Sequence, residues 1–316
     1  MGIDITNFCC KINSEVKRPF NKLRREIMVK KAVILAAGKG TRFLPYTKAY
    51  PKEMLAVIDK PALQLTVEEL VESGIKDIMI VISPDKQGIA NHFKRDDEYE
   101  AELRSKGKDK EADFVHEIGQ LANISYGFQY VINGMGGAVM VAKEFVGDQP
   151  FAVLNGDDVM WCQDNPVTKQ LVEAYNKTGK SVVGVQAVSR QAISKYATCK
   201  LTSSDGRLHG IDDIIEKPSP DQIYSLLAPL GRYVLTPDIF DVIEHHVPIN
   251  RGEYFLTDAL RYQAQNGGIY VYDFEGKRYD FGDKFGYLKA VTEYGTRHKE
   301  FGPDYIEFLK EYVKTL

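Results

Sequence analysis

The sequence has little of what marks several large classes of protein. Its four cysteines, of which Cys9 and Cys10 are adjacent and Cys162 and Cys199 stand alone, form neither a disulfide framework nor a zinc spacing. No apolar run approaches the length that crosses a bilayer, and a net charge of −3 provides no strongly basic face for nucleic acid. We therefore expect a cytoplasmic protein with reduced thiols that binds neither a membrane nor a nucleic acid.

Several catalytic and nucleotide-binding motifs are also missing. Lys39 is followed by Gly40, where a Walker A loop needs Lys-Ser or Lys-Thr at the start of a helix. Phe43 stands where a dinucleotide fingerprint needs its third glycine, which disfavours a dehydrogenase. No Ser-His-Asp or Cys-His arrangement stands out, so the chain does not point to nucleophilic catalysis by a triad.

What the chain does contain is an apolar run, residues 32–36, that leads into a loop with Gly38 and Gly40. The run predicts a buried parallel strand, and the two glycines leave backbone N–H groups accessible to a phosphate. Arg42 and Lys52 add fixed positive charge beside the loop. We interpret this segment as a nucleotide site, because a glycine turn after a core strand would not by itself require these cations.

The first half of the chain alternates apolar strands with amphipathic helices, which predicts a parallel sheet covered on both faces. Strands are expected at residues 77–83, 124–131 and 151–154, helices at 62–73 and 138–145, a loop at 134–137, and a charged surface excursion at 94–111. The second half predicts strands at 181–189, 198–202, 208–215, 230–236, 268–274 and 278–281, and helices at 238–245, 258–265, 283–297 and 303–315. Asp205-Gly206 is a hairpin turn signal between two of these strands.

The predicted fold is α/β: a Rossmann-like, mostly parallel mixed sheet flanked by helices, with a smaller β-rich portion added to the same core. No internal repeat or linker divides the chain. Residues 1–28 are predicted to be a poorly packed extension, because they are charged and have little apolar content to bury. The main domain is expected at residues 29–300, followed by a C-terminal helix at 301–316.

A series of motifs occurs in a characteristic order and spacing, at residues 37–42, 51–55, 59–61, 134–136, 156–158, 216–218, 231–235, 256–259 and 280–284. With these motifs the chain resembles the bacterial UTP–glucose-1-phosphate uridylyltransferases, within the sugar-1-phosphate nucleotidyltransferases, over about residues 29–300. The resemblance implies Mg²⁺-dependent transfer of a uridylyl group from UTP to glucose 1-phosphate, giving UDP-glucose and pyrophosphate. It also implies a homo-oligomer, since relatives form dimers or tetramers.

The implied reaction needs charge neutralisation more than a general base, because the attacking phosphate oxygen is already anionic. By resemblance, Asp157 and Asp280 hold one Mg²⁺ ion, whose preferred ligands are carboxylate, phosphate and water oxygens. The neighbouring Asp158 is disfavoured as a ligand because adjacent side chains point differently. The implied catalytic cations are Arg42 and Lys52 at the triphosphate and Lys217 at the sugar phosphate.

The resemblance also assigns the nucleotide and sugar contacts. The Gln129 amide is expected to read the base, since it can pair with both a donor and an acceptor on the edge of uracil. The further nucleotide-binding residues are Ala36, Ala37, Gly38, Gly40 and Gly134, and the sugar-binding residues are Glu216, Tyr196 and Ala197.

Two departures from the family pattern leave the substrates open. Gly137 stands where the family usually has histidine, and Ala197 where it usually has a glycine that lets the backbone contact the sugar. Another sugar 1-phosphate, or dTTP in place of UTP, therefore remains an alternative, because one methyl group decides only about 1–3 kcal/mol. A non-catalytic nucleotide-sugar binding module is disfavoured, since the two aspartates and the lysines at 52 and 217 are all present.

Overall fold

The computed structural model describes residues 29–250 and 252–316. The extension predicted to be poorly packed, residues 1–28, lies outside the described residues, as do Cys9 and Cys10. Within the described ranges, no helix is both long enough and apolar enough to cross a membrane.

Strands and helices alternate along the described chain. The strands are β1 (Lys31–Leu35), β2 (Ala56–Val57), β3 (Lys60–Pro61), β4 (Asp77–Ile82), β5 (Asn123–Phe128), β6 (Phe151–Asn155), β7 (Asp158–Trp161), β8 (Val182–Ala187), β9 (Ala197–Asp205), β10 (Leu208–Glu216), β11 (Leu227–Leu235), β12 (Ile269–Asp273) and β13 (Lys277–Asp280). The α-helices are α1 (Ala62–Glu72), α2 (Gln87–Phe93), α3 (Asp97–Ser105), α4 (Asp109–Gln120), α5 (Gly134–Met140), α6 (Lys143–Val146), α7 (Val167–Thr178), α8 (Ile239–His246), α9 (Leu256–Gly267), α10 (Lys284–Arg297) and α11 (Gly302–Val313).

Nine strands form the central sheet, in the order β5-β4-β1-β6-β11-β8-β12-β10-β9. The first four are parallel to one another, with Lys31 of β1 level with Asp77 of β4 and Phe151 of β6. Their carboxyl ends therefore meet at one edge of the sheet. Ligands of open α/β sheets bind in the crevice outside that edge.

The parallel strands are apolar throughout because both of their faces are buried. Val33 and Val153 contribute to the core on one face of the sheet, and Ile34 and Leu154 to the core on the other. All four side chains are completely buried. Side chains alternate across a strand, so a continuous apolar run is what a sheet covered on both faces requires.

The second half of the chain extends this same sheet. Strand β11 runs antiparallel to β6, and the hairpin of β9 and β10 forms the far edge. Gly206 in the hairpin turn has φ of 59°, which explains the glycine there. The predicted α/β class, with a mixed sheet flanked by helices, is confirmed, and the β-rich portion is continuous with the parallel strands.

A small sheet of β7 and β13 brings two aspartates together. Asp158 and Asp280 are opposite each other in its antiparallel register. A third core lies against this sheet and includes Phe43, Val159 and Phe281. Strand β7, which follows β6 after a two-residue turn, was not predicted from the sequence.

The prediction of a loop at residues 134–137 is wrong, because these glycines form the first turn of α5. A β-carbon on Gly136 would lie 2.9 Å from the carbonyl oxygen of Tyr254, so the helix begins with glycines where another segment packs against it. The predicted helix at 138–145 is likewise divided between α5 and α6.

The charged region at 94–111 is not an irregular excursion. It contains α3 and the start of α4, which bury Leu103 and Ala112 and expose their charged faces. The side chain of Asp96 caps α3 by accepting a hydrogen bond of 3.0 Å from the backbone N–H of Tyr99. The low apolar content did not indicate α3 and α4, because each of these helices buries only a narrow stripe of side chains. Helix α7, between β7 and β8, was also missed.

Candidate functional site

The glycine loop follows β1 at the carboxyl edge of the parallel strands. Gly40 has φ of 62°, and a β-carbon there would lie 3.1 Å from Cβ of Lys52. A β-carbon on Gly38 would lie 3.7 Å from Nζ of Lys52. The loop therefore packs directly beneath the Lys52 side chain, and its glycines allow that approach.

A buried ion pair, Lys86 with Glu53, holds this loop in place. Nζ of Lys86 donates to the carbonyl oxygens of Ala36 and Gly38, both at 2.6 Å, and lies 2.8 Å from Oε2 of Glu53. Glu53 is completely buried and Lys86 is 5% exposed. Burial raises the pKa of the Glu53 carboxyl, and the Lys86 ammonium opposes that rise. Three acceptors use all three N–H donors of the ammonium group.

Sequence reasoning missed Lys86. The available signal was its place three residues after Ser83, close to the carboxyl end of β4 and therefore near the edge where the glycine loop was expected. Its partner Glu53 belongs to the predicted motif at residues 51–55 but had no assigned role.

Lys52 and Asp157 form the central ion pair of the site, with Nζ of Lys52 2.5 Å from Oδ2 of Asp157. Burial by itself would lower the pKa of Lys52, but Asp157 and Glu53 raise it above its ordinary value. Burial would likewise raise the pKa of Asp157, but the charge and hydrogen bond of Lys52 lower it. Both groups are therefore held in their charged forms at neutral pH.

The backbone brings Asp280 beside Asp157, because the N–H of Phe281 donates to the carbonyl oxygen of Asp157 at 2.8 Å. Arg42 reaches the same place. A β-carbon on Gly282 would lie 2.4 Å from Nη2 of Arg42 and 2.9 Å from Oδ1 of Asp280. Only glycine at position 282 leaves room for the guanidinium group so close to this carboxylate.

Asp158 points into the protein rather than into the crevice. Its Oδ1 lies 2.6 Å from Nη2 of Arg278, and its Oδ2 accepts a hydrogen bond of 3.0 Å from Nδ2 of Asn155. The side chain is 3% exposed, and burial raises the pKa of Asp158 to about 6. This orientation agrees with the preference for Asp157 over Asp158 as a ligand.

Arg278, also missed from the sequence, links the aspartates to the expected sugar side. Its Nη2 lies 3.4 Å from Oδ2 of Asp280, and its Nη1 donates to the Tyr196 hydroxyl at 3.3 Å. The guanidinium carbon lies 5.6 Å from the centre of the Tyr196 ring. No local feature of the sequence predicts this role, since Arg278 lies in a strand between two charged or polar neighbours.

The two segments of the expected sugar site, residues 196–197 and 216–217, lie side by side at the open end of the β9–β10 hairpin, away from its turn. Glu216 is opposite Ala197, and the N–H of Lys217 donates to the carbonyl oxygen of Tyr196 at 2.8 Å. Oε2 of Glu216 accepts a hydrogen bond of 2.8 Å from the Thr257 hydroxyl. Lys217 has φ of 46°, a conformation that non-glycine residues rarely adopt and that is concentrated at functional sites.

The structure therefore brings Lys52, Asp157, Asp280 and Arg42 together around the glycine loop. Lys52 pairs with Asp157, the backbone links Asp157 to the segment of Asp280, and Arg42 and Asp280 both lie next to Gly282. Lys217 is exposed, and no hydrogen bond among the described residues involves its Nζ. Its backbone N–H bonds to Tyr196, whose hydroxyl bonds to Arg278 beside the two aspartates.

On the expected base side, Gln129 directly follows β5 and is 5% exposed. Its Nε2 donates to Oδ1 of Asn133 at 2.9 Å and to the carbonyl oxygen of Gly134 at 3.2 Å. Gly134 has φ of 88°, and a β-carbon there would lie 2.6 Å from the carbonyl oxygen of Tyr254. The Gln129 amide nitrogen is thus used within the protein, whereas we expected both ends of the amide to pair with a base.

The candidate metal ligands at this site are two carboxylates, those of Asp157 and Asp280. Within residues 29–250 and 252–316, no group of three or more His, Cys, Asp or Glu side chains could hold a metal ion. Asp157 and Asp280 fit a Mg²⁺ ion that is also bound by phosphate and water, because such ions commonly take only one or two protein carboxylates. They do not fit a closed structural zinc site, which needs four protein ligands.

The fold and this cation-rich edge define a class of nucleotide-handling enzymes, and comparison with known families agrees. A family model described as nucleotidyl transferase matches residues 31–297. The chain belongs to this family.

Within the family, the chain is similar to UTP–glucose-1-phosphate uridylyltransferases. One of these, from Staphylococcus saprophyticus, is 45% identical over 283 residues, which cover 90% of this chain and 98% of the relative. A crystal structure of UDP-glucose pyrophosphorylase complexed with UDP-glucose is 37% identical, covers 86% of this chain and all of that chain, and superposes with a TM-score of 0.77. A UTP-bound enzyme of the same kind from Acinetobacter baumannii is 34% identical, with 90% and 99% coverage and a TM-score of 0.81. The resemblance predicted from the sequence motifs is confirmed.

Proposed function

We propose that this protein transfers the uridylyl group of UTP to glucose 1-phosphate, with Mg²⁺, to give UDP-glucose and pyrophosphate. The observation that carries the proposal is the meeting of Lys52, Asp157, Asp280 and Arg42 beside the glycine loop. The names of relatives that match 90% of this chain support the same reaction.

The reaction is an in-line displacement at the α-phosphorus of UTP. An oxygen of the sugar phosphate forms the new P–O bond, and the bond from the α-phosphorus to the bridging oxygen of the β-phosphate breaks. The electron pair leaves with pyrophosphate, so no proton has to be removed from the nucleophile. Bringing two polyanions together is the main cost, and fixed cations lower it.

We assign the cations to this task. Lys52 extends over the glycine loop and faces the triphosphate, and Arg42 lies beside Asp280 at the same edge. The ion pair of Lys86 with Glu53 keeps the loop beneath them in position, which makes Lys86 a positioning residue. The ordered loop supplies backbone N–H groups to the phosphates.

Asp157 and Asp280 would hold the Mg²⁺ ion, since they are the carboxylates at the crevice and Asp158 is turned inward. When bound, the ion would supply Lewis-acid stabilisation of charge that develops on the phosphates. Until the ion binds, Lys52 balances the charge of Asp157 and Arg278 balances that of Asp280.

The sugar phosphate is assigned to the β9–β10 end of the site. Lys217 would pair with its phosphate, Glu216 would accept hydrogen bonds from ring hydroxyls, and Tyr196 with Ala197 would line the pocket. The bond from Thr257 to Glu216 supports this, because it fixes the carboxylate while leaving it further lone pairs.

We further propose that the protein is a cytoplasmic homo-oligomer. Free thiols at Cys162 and Cys199 suit a reducing compartment. Large apolar side chains are exposed on α10 and α11, among them Phe285, Leu288 and Phe308, and such groups are common in subunit contacts. Light scattering of the purified protein measures the oligomeric state, and a monomer at all concentrations would contradict this part.

The test of the reaction is pyrophosphate release with Mg²⁺ from UTP or dTTP, each combined with glucose, galactose or N-acetylglucosamine 1-phosphate. We expect UTP with glucose 1-phosphate to give the highest kcat/KM. A higher kcat/KM with dTTP would support the thymidylyl alternative. A higher kcat/KM with another sugar 1-phosphate would support the alternative in which Ala197 reshapes the sugar pocket. No pyrophosphate from any pair would refute nucleotidyl transfer.

A further inference from the structure

The side chain of Asn133 occupies the space that Gly137 leaves free. A β-carbon on Gly137 would lie 1.8 Å from Oδ1 of Asn133 and 2.4 Å from its Cγ. Non-bonded atoms cannot approach so closely, so Asn133 in this position and any side chain at 137 exclude each other. The glycine that departs from the usual histidine therefore has a structural counterpart four residues earlier.

Asn133 in turn fixes the orientation of Gln129. Oδ1 of Asn133 accepts a hydrogen bond of 2.9 Å from Nε2 of Gln129, and the same nitrogen donates to the carbonyl oxygen of Gly134 at 3.2 Å. A peptide carbonyl can only accept, so the second bond identifies which end of the Gln129 amide is the nitrogen. Both N–H donors of the amide are then used inside the protein.

The free end of the Gln129 amide is its oxygen. Among the hydrogen bonds within residues 29–250 and 252–316, none reaches Oε1 of Gln129, although the residue is 5% exposed. The Gln129 side chain therefore offers a ligand base an acceptor and no donor. Uracil and thymine present an N3–H donor on this edge, whereas N3 of cytosine is itself an acceptor.

We propose that Asn133, seated in the space left by Gly137, is a positioning residue that turns Gln129 into a hydrogen-bond acceptor and so selects bases that carry an N3–H group. The proposal rests on the proposed function, because it takes Gln129 as the residue that contacts the base. It goes further by assigning a specificity role to Asn133 and Gly137, through the orientation of a neighbouring amide.

The backbone around Asn133 is anchored independently of its side chain. The N–H of Tyr254 donates to the carbonyl oxygen of Asn133 at 2.8 Å, and the N–H of Gly136 donates to the carbonyl oxygen of Tyr254 at 2.9 Å. The Asn133→Ala substitution therefore removes the amide while these two backbone bonds hold the segment. The side chain is only partly buried, so its loss does not open a core cavity.

The experiment compares Asn133→Ala with Asn133→Asp in steady-state kinetics with UTP and CTP. We expect Asn133→Ala to raise KM for UTP about tenfold, the value of one modest hydrogen bond, with kcat and KM for glucose 1-phosphate near wild type. The preference for UTP over CTP falls by a similar factor, since only the longer bond to the carbonyl oxygen of Gly134 then holds the orientation of the Gln129 amide. Asn133→Asp keeps an acceptor for Gln129 and should retain most of the preference.

Gly137→Ala tests the same packing without changing Asn133, because its new methyl group displaces the Asn133 side chain. It should resemble Asn133→Ala, and the double variant should be no worse than either single one. Independent, additive effects would overturn the proposal. So would an unchanged ratio of UTP to CTP in Asn133→Ala, which remains the decisive variant if Gly137→Ala does not fold.

Calorimetric titration with UDP and CDP separates this proposal from the proposed function. Loss of UDP preference in Asn133→Ala supports the role of Asn133 whether or not the wild type turns over glucose 1-phosphate. Wild-type turnover with UTP, combined with unchanged binding of both diphosphates in the variant, would refute the role of Asn133 alone.

Discussion

Each carboxylate at the crevice has a cation beside it, and for Asp157 this neighbour lowers the pKa. Nζ of Lys52 lies 2.5 Å from Asp157, and Nη2 of Arg278 lies 3.4 Å from Asp280. Although burial would raise the pKa of Asp157, Lys52 lowers it, so the carboxylate remains ionised at neutral pH. An ionised oxygen is the form that binds a divalent cation.

Substituting these aspartates tests the metal assignment. We expect Asp157→Asn or Asp280→Asn to lower kcat about a hundredfold or more, because an amide supplies no negative charge to the ion. Pyrophosphate release over a range of Mg²⁺ concentrations measures the effect, and circular dichroism verifies the fold. Asp148→Asn, at an exposed position before β6, is the matched control and should be silent. Near-normal turnover in either site variant would contradict the shared metal site.

The Lys217 side chain is exposed, and its backbone has a positive φ of 46°. Both features suit a side chain whose partner is a bound ligand. We expect Lys217→Ala to raise KM for glucose 1-phosphate about tenfold or more, the value of one charge-assisted hydrogen bond, and to change KM for UTP little. Lys200→Ala, an exposed lysine of β9, serves as control. An unaltered KM for the sugar phosphate would remove Lys217 from the site.

At the scale of elements, the site depends on connections between segments that are distant in sequence. Lys86, after β4, reaches the loop after β1 and also Glu53 in the segment between that loop and β2. One buried ammonium thus ties three segments of the nucleotide site together. Its partner is completely buried, so the pair cannot be separated without leaving a charge in an apolar environment.

We therefore expect Lys86→Met to lower the free energy of unfolding by about 3–5 kcal/mol, the usual cost of breaking a buried ion pair. Urea denaturation measures the loss, and KM for UTP should also rise because the loop loses its anchor. The double variant Glu53→Met with Lys86→Met should recover part of the stability, since no unpaired charge remains. Lys177→Met, on an exposed face of α7, is the control. A stability loss no greater than that of the control would show that the ion pair of Lys86 with Glu53 contributes little.

At the scale of the whole molecule, Asp213 of β10 connects the sheet to the helical layer. Its Oδ1 lies 2.7 Å from Nε of Arg261 on α9, and its Oδ2 accepts a hydrogen bond of 2.9 Å from the Tyr224 hydroxyl. Burial would raise the pKa of Asp213, but its bonds to Arg261 and Tyr224 lower it below the ordinary value. The folded state therefore favours the ionised form.

This shift predicts a pH dependence of stability. A carboxyl whose pKa is lowered by folding stabilises the protein at neutral pH, and the contribution is lost as pH falls through the folded-state pKa. Wild type should be more stable than Asp213→Asn at pH 7, and the difference should shrink once the pH falls below the ordinary aspartate pKa of about 3.9. Thermal unfolding of both proteins from pH 7 to pH 3 measures it. A difference that stays constant over this range would contradict the ionic role of Asp213.

The local signals of the sequence were sufficient for much of the fold. The strand predicted from the apolar run at residues 32–36 and the hairpin predicted from Asp205-Gly206 each depend on residues that are neighbours in the chain, and both predictions are confirmed. Helix α3 was missed because a helix that buries only a narrow stripe carries a weak periodic signal, whereas α7 was missed because polar side chains such as Thr168 and Gln170 share its buried face. The domain boundaries and the roles of the site residues stay predictions.

By itself, the sequence determined the strands of the central sheet and the family, since both depend on residue types at short spacing or in a fixed order. Only the tertiary structure decided which side chains hold one another: Lys86 with Glu53, Arg278 with Asp158, and Asn133 in the space of Gly137. The first two pairs join residues 33 and 120 positions apart. The third is close in sequence but depends on how helix α5 begins. Such contacts depend on packing and burial, which residue type and spacing do not specify.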